Sequence, residues 1–198
     1  ITSLDDLVGL QEVKDQVKKI ANFVAVRGIK ALPSLHMVFT GNPGTGKTSV
    51  ARLLSKAFAD AGVFPEEKFI EVDRSGLVGR YIGETEVKTN EVIDKALGGI
   101  LFIDEAYALD PGDSNRDYGN EAISTLVKRL EDNRKDFICI MAGYTKKMQK
   151  MLDSNPGMRD RIQFYINFPD YNANELMKIF NNMCANTGYT LTEEAAKV

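Results

Sequence analysis

Hydrophobic and polar positions along this 198-residue chain follow two alternating rhythms. Short apolar runs at residues 35–41, 69–73, 99–105, 137–143 and 162–168 read as strands. The third and fourth are almost wholly apolar, as strands covered on both faces must be. Between the runs the apolar spacing changes to three and four. Residues 10–26 carry Leu10, Val13, Val17, Ile20 and Val24, and residues 47–61 carry Val50, Leu53, Leu54, Ala57 and Phe58. Residues 121–134 carry Ala122, Ile123, Leu126, Val127 and Leu130. Each set makes one stripe along a helix. Strands that alternate with helices in this way build a parallel sheet with helices packed on it. The pattern predicts an α/β three-layer sandwich around a central five-stranded parallel sheet.

After Pro169 the rhythm changes. Asp170-Tyr171-Asn172 supplies a turn and an N-cap, and residues 175–186 place Leu176, Ile179, Phe180 and Met183 at helical spacing. Thr192, ahead of Glu193-Glu194, reads as the N-cap of one more helix. The expected organisation is a sheet-based unit over residues 1–170 and the start of a helical unit over 171–198. The chain opens on Ile rather than Met and stops inside a helical pattern, which reads as an excerpt cut at both ends. No internal repeat or low-complexity tract is visible.

Composition narrows the classes of function. At 43% hydrophobic and 27% charged the chain is ordinarily globular. Its 25 basic and 28 acidic residues leave a net charge of −3, so no global basic field marks a nucleic-acid partner. Local lysine clusters (Lys14, Lys18, Lys19 and Lys146, Lys147, Lys150) read as solvated helix faces. Two cysteines, Cys139 in an apolar run and Cys184 in a helical pattern, argue against a disulfide framework and fit a reducing cytoplasm. His36 opens a strand and belongs to no set with zinc spacing, so it reads as structural. No apolar run approaches the roughly 20 residues of a membrane helix, and no signal peptide is visible.

The chemistry begins at Gly41-Asn42-Pro43-Gly44-Thr45-Gly46-Lys47-Thr48, which fits G-x-x-x-x-G-K-[ST]. Met37-Val38-Phe39 runs straight into it, and an amphipathic helix opens at Lys47, with Thr48 and Ser49 in its first turn. Glycines let backbone N–H groups turn toward a phosphate, and the helix N-terminus adds its partial positive charge. Lys47 is placed to reach β- and γ-phosphate oxygens, and the Thr48 hydroxyl to ligate Mg²⁺. A second signal is Gly99-Ile100-Leu101-Phe102-Ile103-Asp104-Glu105, an apolar strand ending in two acids. In a parallel sheet that end faces the crevice of the phosphate loop. Asp104 is then expected to hold Mg²⁺, and Glu105 to align or deprotonate the attacking water. The pair of signals predicts a P-loop NTPase that takes ATP and Mg²⁺.

At this level of detail the chain resembles the AAA+ superfamily, and within it the CbxX/CfqX family, which includes red-type Rubisco activases and stage V sporulation protein K-like ATPases. Beyond the phosphate loop, the resemblance rests on several segments in order. They are Leu77-Val78-Gly79-Arg80-Tyr81-Ile82-Gly83-Glu84-Thr85, residues 99–107, Arg116-Asp117-Tyr118-Gly119, Asn155-Pro156-Gly157-Met158-Arg159-Asp160-Arg161 and Phe168-Pro169-Asp170-Tyr171. The resemblance implies that Val8 and Gly9 pack on adenine and that residues 171–198 begin a small helical AAA+ lid. It also implies that Tyr81, Ile82 and Gly83 form a pore loop gripping a polypeptide. Arg161, with Arg159 as substitute or assistant, is the implied arginine finger that one subunit lends to its neighbour. The implied assembly is a ring, a hexamer, acting on a protein client such as Rubisco or a sporulation-related protein.

Two departures stand out. The fourth strand ends in Ala142-Gly143-Tyr144-Thr145, where many relatives carry a water-positioning Asn, leaving Tyr144 or Thr145 as the substitute. The lid arginine of the family has no counterpart before Val198. Alternative readings are a DNA-directed loader, against which the acidic balance and Tyr81 argue, and a nucleotide switch that assembles without pulling.

Overall fold

Residues 3–81, 83–110, 118–189 and 192 are described by the computed structural model. Met37–Thr40 (β1), Phe69–Val72 (β2), Ile100–Ile103 (β3), Ile138–Gly143 (β4) and Phe164–Asn167 (β5) form one sheet in the order β2-β3-β4-β1-β5. Every neighbouring pair is parallel, with Phe39 opposite both Ala142 and Ile166, and Phe102 opposite Ile140. The helices are α1 (Gln11–Arg27), α2 (Lys47–Asp60), α3 (Arg74–Leu77), α4 (Glu84–Ala96), α5 (Gly119–Asp132), α6 (Thr145–Ser154), α7 (Pro156–Arg159) and α8 (Ala173–Thr187). The five-stranded parallel sheet expected from the alternation is present.

Strand side chains alternate between two cores, which is why β3 and β4 hold no polar residue. Met37, Phe39, Ile100, Phe102, Ile138 and Ile140 face α1 and α2, where they meet Val13, Val17, Val50, Leu54 and Phe58. Val38, Leu101, Ile103, Cys139 and Met141 face the other way, against Ile93 and Ala96 of α4, Leu126 and Leu130 of α5 and Met148 of α6. All positions of β3 and β4 are buried, whereas the edge strand β5 exposes Tyr165. Among the described residues no helix is long and apolar enough to cross a membrane.

Several boundaries differ from the sequence reading. The strands are shorter than the apolar runs, because flanking residues such as Leu35 and Phe137 are buried by packing without joining the ladder. Helix α3 was not anticipated, and α6 was read only as a lysine-bearing helix face without bounds. Asp73 starts α3 by accepting the Ser75 backbone N–H at 2.9 Å and its hydroxyl at 2.5 Å. Asn172 caps α8 as expected and is joined by Glu175 in a reciprocal capping box. None of α8 is buried among the described residues, and Leu176, Phe180 and Met183 are exposed. The helix expected after Thr192 lies outside the described residues. Lys14 is not on a solvated face: it is buried, with its ammonium donating to the Leu7 carbonyl.

His36 is a fully buried structural ring. Its Nε2 lies 2.9 Å from the Leu130 carbonyl, and its Nδ1 accepts the Cys139 backbone N–H at 3.0 Å. Burial pushes its pKa down to about 4. The unfolded chain binds this proton near pH 6.5, so His36 costs nothing above that value. Stability falls as pH drops from about 6.5 to about 4, where the loss is complete at roughly 3 kcal/mol. Urea unfolding should show roughly 2 kcal/mol less stability at pH 5 than at pH 7 from this group, and His36→Gln should flatten that part of the slope. An unchanged slope in the variant would assign the acid sensitivity elsewhere.

Candidate active site

Strand β1 ends at Thr40, and the chain turns through 41–46 before α2 opens at Lys47. Gly46, the residue before the helix, has φ +94°, a left-handed conformation that a side chain resists, and a Cβ there would come within 3.0 Å of the Tyr171 hydroxyl. The loop is closed from inside. Lys47 Nζ donates to the carbonyls of Gly41 at 2.9 Å and Asn42 at 2.7 Å, and the Thr45 hydroxyl donates to Asn42 O at 2.7 Å. Desolvation holds the Lys47 pKa below the ordinary lysine value, opposed by the charge of Asp104.

Two strands away, β3 delivers Asp104 and Glu105 to the same side of the sheet. The Asp104 N–H still belongs to the ladder, donating to Val72 O at 2.8 Å, and its carboxylate accepts the Glu105 N–H at 3.0 Å. Glu105 has φ +49°, a left-handed backbone at a non-glycine residue. Such a conformation costs on the order of 1–3 kcal/mol and needs support from its surroundings. The turn lifts the Glu105 side chain out of the sheet into the cleft.

A cleft of about 450 Å³ joins these parts. Its lining includes Lys47, Thr48, Ser49, Asp104 and Glu105 as polar groups, Leu7, Val8 and Ile179 as apolar ones, and the rings of Tyr144 and Tyr171. Of the residues singled out from sequence, Val8, Pro43, Gly44, Gly46, Lys47, Thr48, Ser49, Asp104 and Glu105 all line it. Thr45 and Asn42 instead shape the loop from behind, the Asn42 amide donating to the Asp170 carboxylate at 2.9 and 3.1 Å. Gly9 lies beside the Glu175 side chain rather than on the cleft wall. Among the described residues no group of three or more His, Cys, Asp or Glu is arranged to hold a metal. Thr48 and Asp104 offer instead the sparse, hard oxygen set that suits Mg²⁺ shared with phosphates.

Arg159 and Arg161 are not part of this cleft. Arg161 Nη1 donates to Gly157 O at 2.7 Å, and its buried Nε lies 3.8 Å from the Glu131 carboxylate without a hydrogen-bond partner. Arg159 lies 3.6 Å from Asp153. Tyr81 is 72% exposed, on a loop whose base is pinned. The Glu84 carboxylate accepts the N–H groups of Arg80 at 2.6 Å and Tyr81 at 3.1 Å, and the Thr85 hydroxyl accepts that of Gly79 at 2.9 Å. Those backbone bonds hold the Glu84 carboxyl below its usual pKa. Ile82, Arg116 and Asp117 lie outside the described residues.

Sequence reasoning missed Leu7, Tyr171 and Ile179 on the cleft. Tyr171 donates from its hydroxyl to Thr45 O at 3.3 Å, and burial raises its pKa. Beyond its place in the Phe168-Pro169-Asp170-Tyr171 segment, its sequence signal was an aromatic residue inside an otherwise polar turn. Between Tyr144 and Thr145, it is Tyr144 that lines the cleft, whereas Thr145 opens α6.

A glycine-bent loop between a parallel strand and a helix, facing a second strand that ends in two acids, defines a P-loop NTPase domain. Residues 37–170 match the family described as "ATPase family associated with various cellular activities (AAA)". Stage V sporulation protein K of Bacillus subtilis is 47% identical over 96% of this chain and 61% of its own length. The chloroplastic ribulose bisphosphate carboxylase/oxygenase activase of Cyanidioschyzon merolae is 44% identical over 98% of this chain and 68% of its own. The chain thus spans about two-thirds or less of these relatives. The crystal structure of the FIGL-1 AAA domain in complex with ADP shares the fold, with a TM-score of 0.70 over 98% of this chain and 64% of that one at 20% identity. The chain belongs to the AAA family of ATPases, in its CbxX/CfqX group.

Proposed function

We propose that this domain binds Mg²⁺-ATP in the cleft and hydrolyses it at sites completed by neighbouring subunits of a ring, using the energy to remodel a protein client. The observation that carries the reading is the meeting of Lys47, Thr48, Asp104 and Glu105 on one cleft. Lys47 exchanges its bonds to the Gly41 and Asn42 carbonyls for β- and γ-phosphate oxygens, whose charge offsets the desolvation of its ammonium. The Thr48 hydroxyl and Asp104 carboxylate would hold Mg²⁺, which when bound would neutralise negative charge on the nucleotide's phosphates. Glu105 accepts a proton from water as the water oxygen bonds to the γ-phosphorus. The bond from that phosphorus to the bridging oxygen breaks, and ADP leaves with the electron pair. Leu7, Val8, Ile179 and the Tyr171 ring offer the base an apolar, aromatic surface, and α8, which carries Ile179, belongs to the start of the lid.

Arg161 acts in trans in this reading. Its absence from the lining of its own cleft supports a role at a neighbour's γ-phosphate, where a planar guanidinium suits the spread charge. Tyr81 offers a ring face and a hydroxyl to a passing polypeptide from a loop that Glu84 and Thr85 hold in shape. The client in this reading is a protein, Rubisco or a sporulation-related protein being the candidates that the relatives' names suggest.

Turnover per subunit should rise steeply with protein concentration in an ATPase assay, since each site needs its neighbour. A rate independent of concentration, under conditions where sedimentation shows monomer, would remove the ring and the trans arginine together. Tyr81→Ala should hydrolyse ATP near the parent rate and lose client remodelling. Remodelling by that variant would take Tyr81 out of the grip.

A further inference from the structure

Glu105 sits at a left-handed backbone position, φ +49°, which a non-glycine residue keeps only where its surroundings hold it. The hold comes from the segment that follows. A 3₁₀ turn over Ala106–Leu109 succeeds Glu105 directly, with Ala106 and Leu109 fully buried. Within it the Ala108 N–H donates to Glu105 O at 2.9 Å. The Ala108 carbonyl in turn accepts Arg74 Nη1 at 2.6 Å. Ala108 is therefore bonded on one side to Glu105 and on the other to a guanidinium from 34 residues earlier in the chain.

Arg74 is projected from a fixed base. It is the first residue of α3, whose N-cap Asp73 accepts the N–H and the hydroxyl of Ser75. Helix α4 secures the rest of α3: the Thr89 hydroxyl donates to Leu77 O at 2.9 Å, and Lys88 Nζ donates to Ser75 O at 2.6 Å. The start of α5 is shaped to the same contact. A Cβ at Gly119 would lie 2.0 Å from Leu109 O and 3.0 Å from Arg74 Nη1, so a glycine is needed for the turn and the guanidinium to come this close. Arg74, Ala108 and Glu105 also line a second cavity of about 430 Å³, together with Val78 and Gly79 at the base of the Tyr81 loop. Glu105 stands between that cavity and the nucleotide cleft, which it lines as well.

We infer that Arg74 is a positioning residue of the hydrolysis proposed above: through the Ala108 carbonyl it holds the turn that presents the Glu105 carboxylate to the attacking water. Arg74 does not line the nucleotide cleft, so it acts through Glu105 and not on phosphate. A guanidinium suits the task, because a charge-assisted bond is stronger than a neutral one and the planar group loses little freedom in making it. A general base works only within hydrogen-bond reach of its water. A turn released toward an ordinary backbone angle would carry the carboxylate out of that reach, slowing the chemical step and leaving ATP binding intact.

The inference rests on the hydrolysis reading, and one set of measurements tells the two apart. Single-turnover hydrolysis, the Kd of a fluorescent ATP analogue and the melting temperature are measured for the parent, Arg74→Met, Arg74→Lys, Glu105→Gln and the double variant that joins Arg74→Met to Glu105→Gln. A parent that binds ATP without hydrolysing it, or hydrolyses it as fast after Glu105→Gln, overturns the hydrolysis reading itself. With that reading standing, Arg74→Met should slow hydrolysis roughly 10- to 100-fold, the scale of one hydrogen bond from a charged group, with Kd close to the parent's. Arg74→Lys keeps a cationic donor on a long stem and should recover most of the rate. In the Glu105→Gln background the Arg74→Met loss should shrink to about twofold or less, because the residue it acts through is already gone. A merely structural arginine would slow both backgrounds alike, and equal losses overturn the inference. Parent-like hydrolysis in Arg74→Met, no recovery in Arg74→Lys, or a loss that tracks melting temperature or Kd overturns it as well. Should Arg74→Met not fold, Arg74→Gln, polar but shorter, carries the same expectations in both backgrounds.

Discussion

Glu105→Gln will bind Mg²⁺-ATP about as well as the parent protein and turn it over roughly 10²- to 10⁴-fold more slowly, the scale of one general base. Gln matches Glu in shape and, like it, is a non-glycine residue at φ +49°, so the backbone cost at this turn is unchanged. The Asp104 carboxylate still receives the backbone N–H of residue 105. What disappears is an oxygen able to take a proton from water. Single-turnover hydrolysis beside equilibrium binding makes the distinction: slow chemistry with intact binding is expected, and near-normal turnover would remove Glu105 from the mechanism. Lys47 supplies the contrasting case. Its ammonium bridges the phosphate loop, so its loss weakens binding rather than trapping ligand.

Arg161→Ala will lower kcat by roughly 10³- to 10⁵-fold in the assembled protein, the range for an arginine that stabilises a transferring phosphoryl group. A mixing experiment tests the geometry more sharply than the single variant. In a ring that combines Arg161→Ala subunits with Glu105→Gln subunits, some cleft with an intact Glu105 faces an intact Arg161 from next door. Two preparations that are each inactive should therefore regain measurable turnover when mixed. No recovery, with co-assembly verified, would mean that Arg161 does not act across the interface. Arg161→Lys keeps the charge near Glu131 but lacks the planar fork, and should remain slow. Melting curves of the three proteins guard against the loss of the Gly157 contact being mistaken for chemistry.

The parts legible in sequence were those encoded locally. The phosphate loop is eight consecutive residues, and Asp104 and Glu105 close an apolar run, so pattern alone located both. The parallel sheet was legible because β3 and β4 are buried along their whole length and leave no polar position to blur the strand signal. Where the reading fell short, the deciding contact was short in extent or long in range. Helix α3 has four residues, too few to show a period. Helix α6 was legible only through its lysines, without bounds, because its buried stripe is just Met148, Met151 and Leu152. Tyr171 meets Thr45 across 126 positions of chain, and buried Lys14 sets its ammonium on a carbonyl seven residues earlier. Neither contact has a periodic signature.

Helix α8 places Ile179 on the nucleotide cleft yet has no buried residue of its own among the described ones. An element anchored by so little apolar area is inexpensive to displace. A purine lodged against Ile179 would add apolar contact to α8. Occupancy of the cleft would then govern how firmly that helix is held.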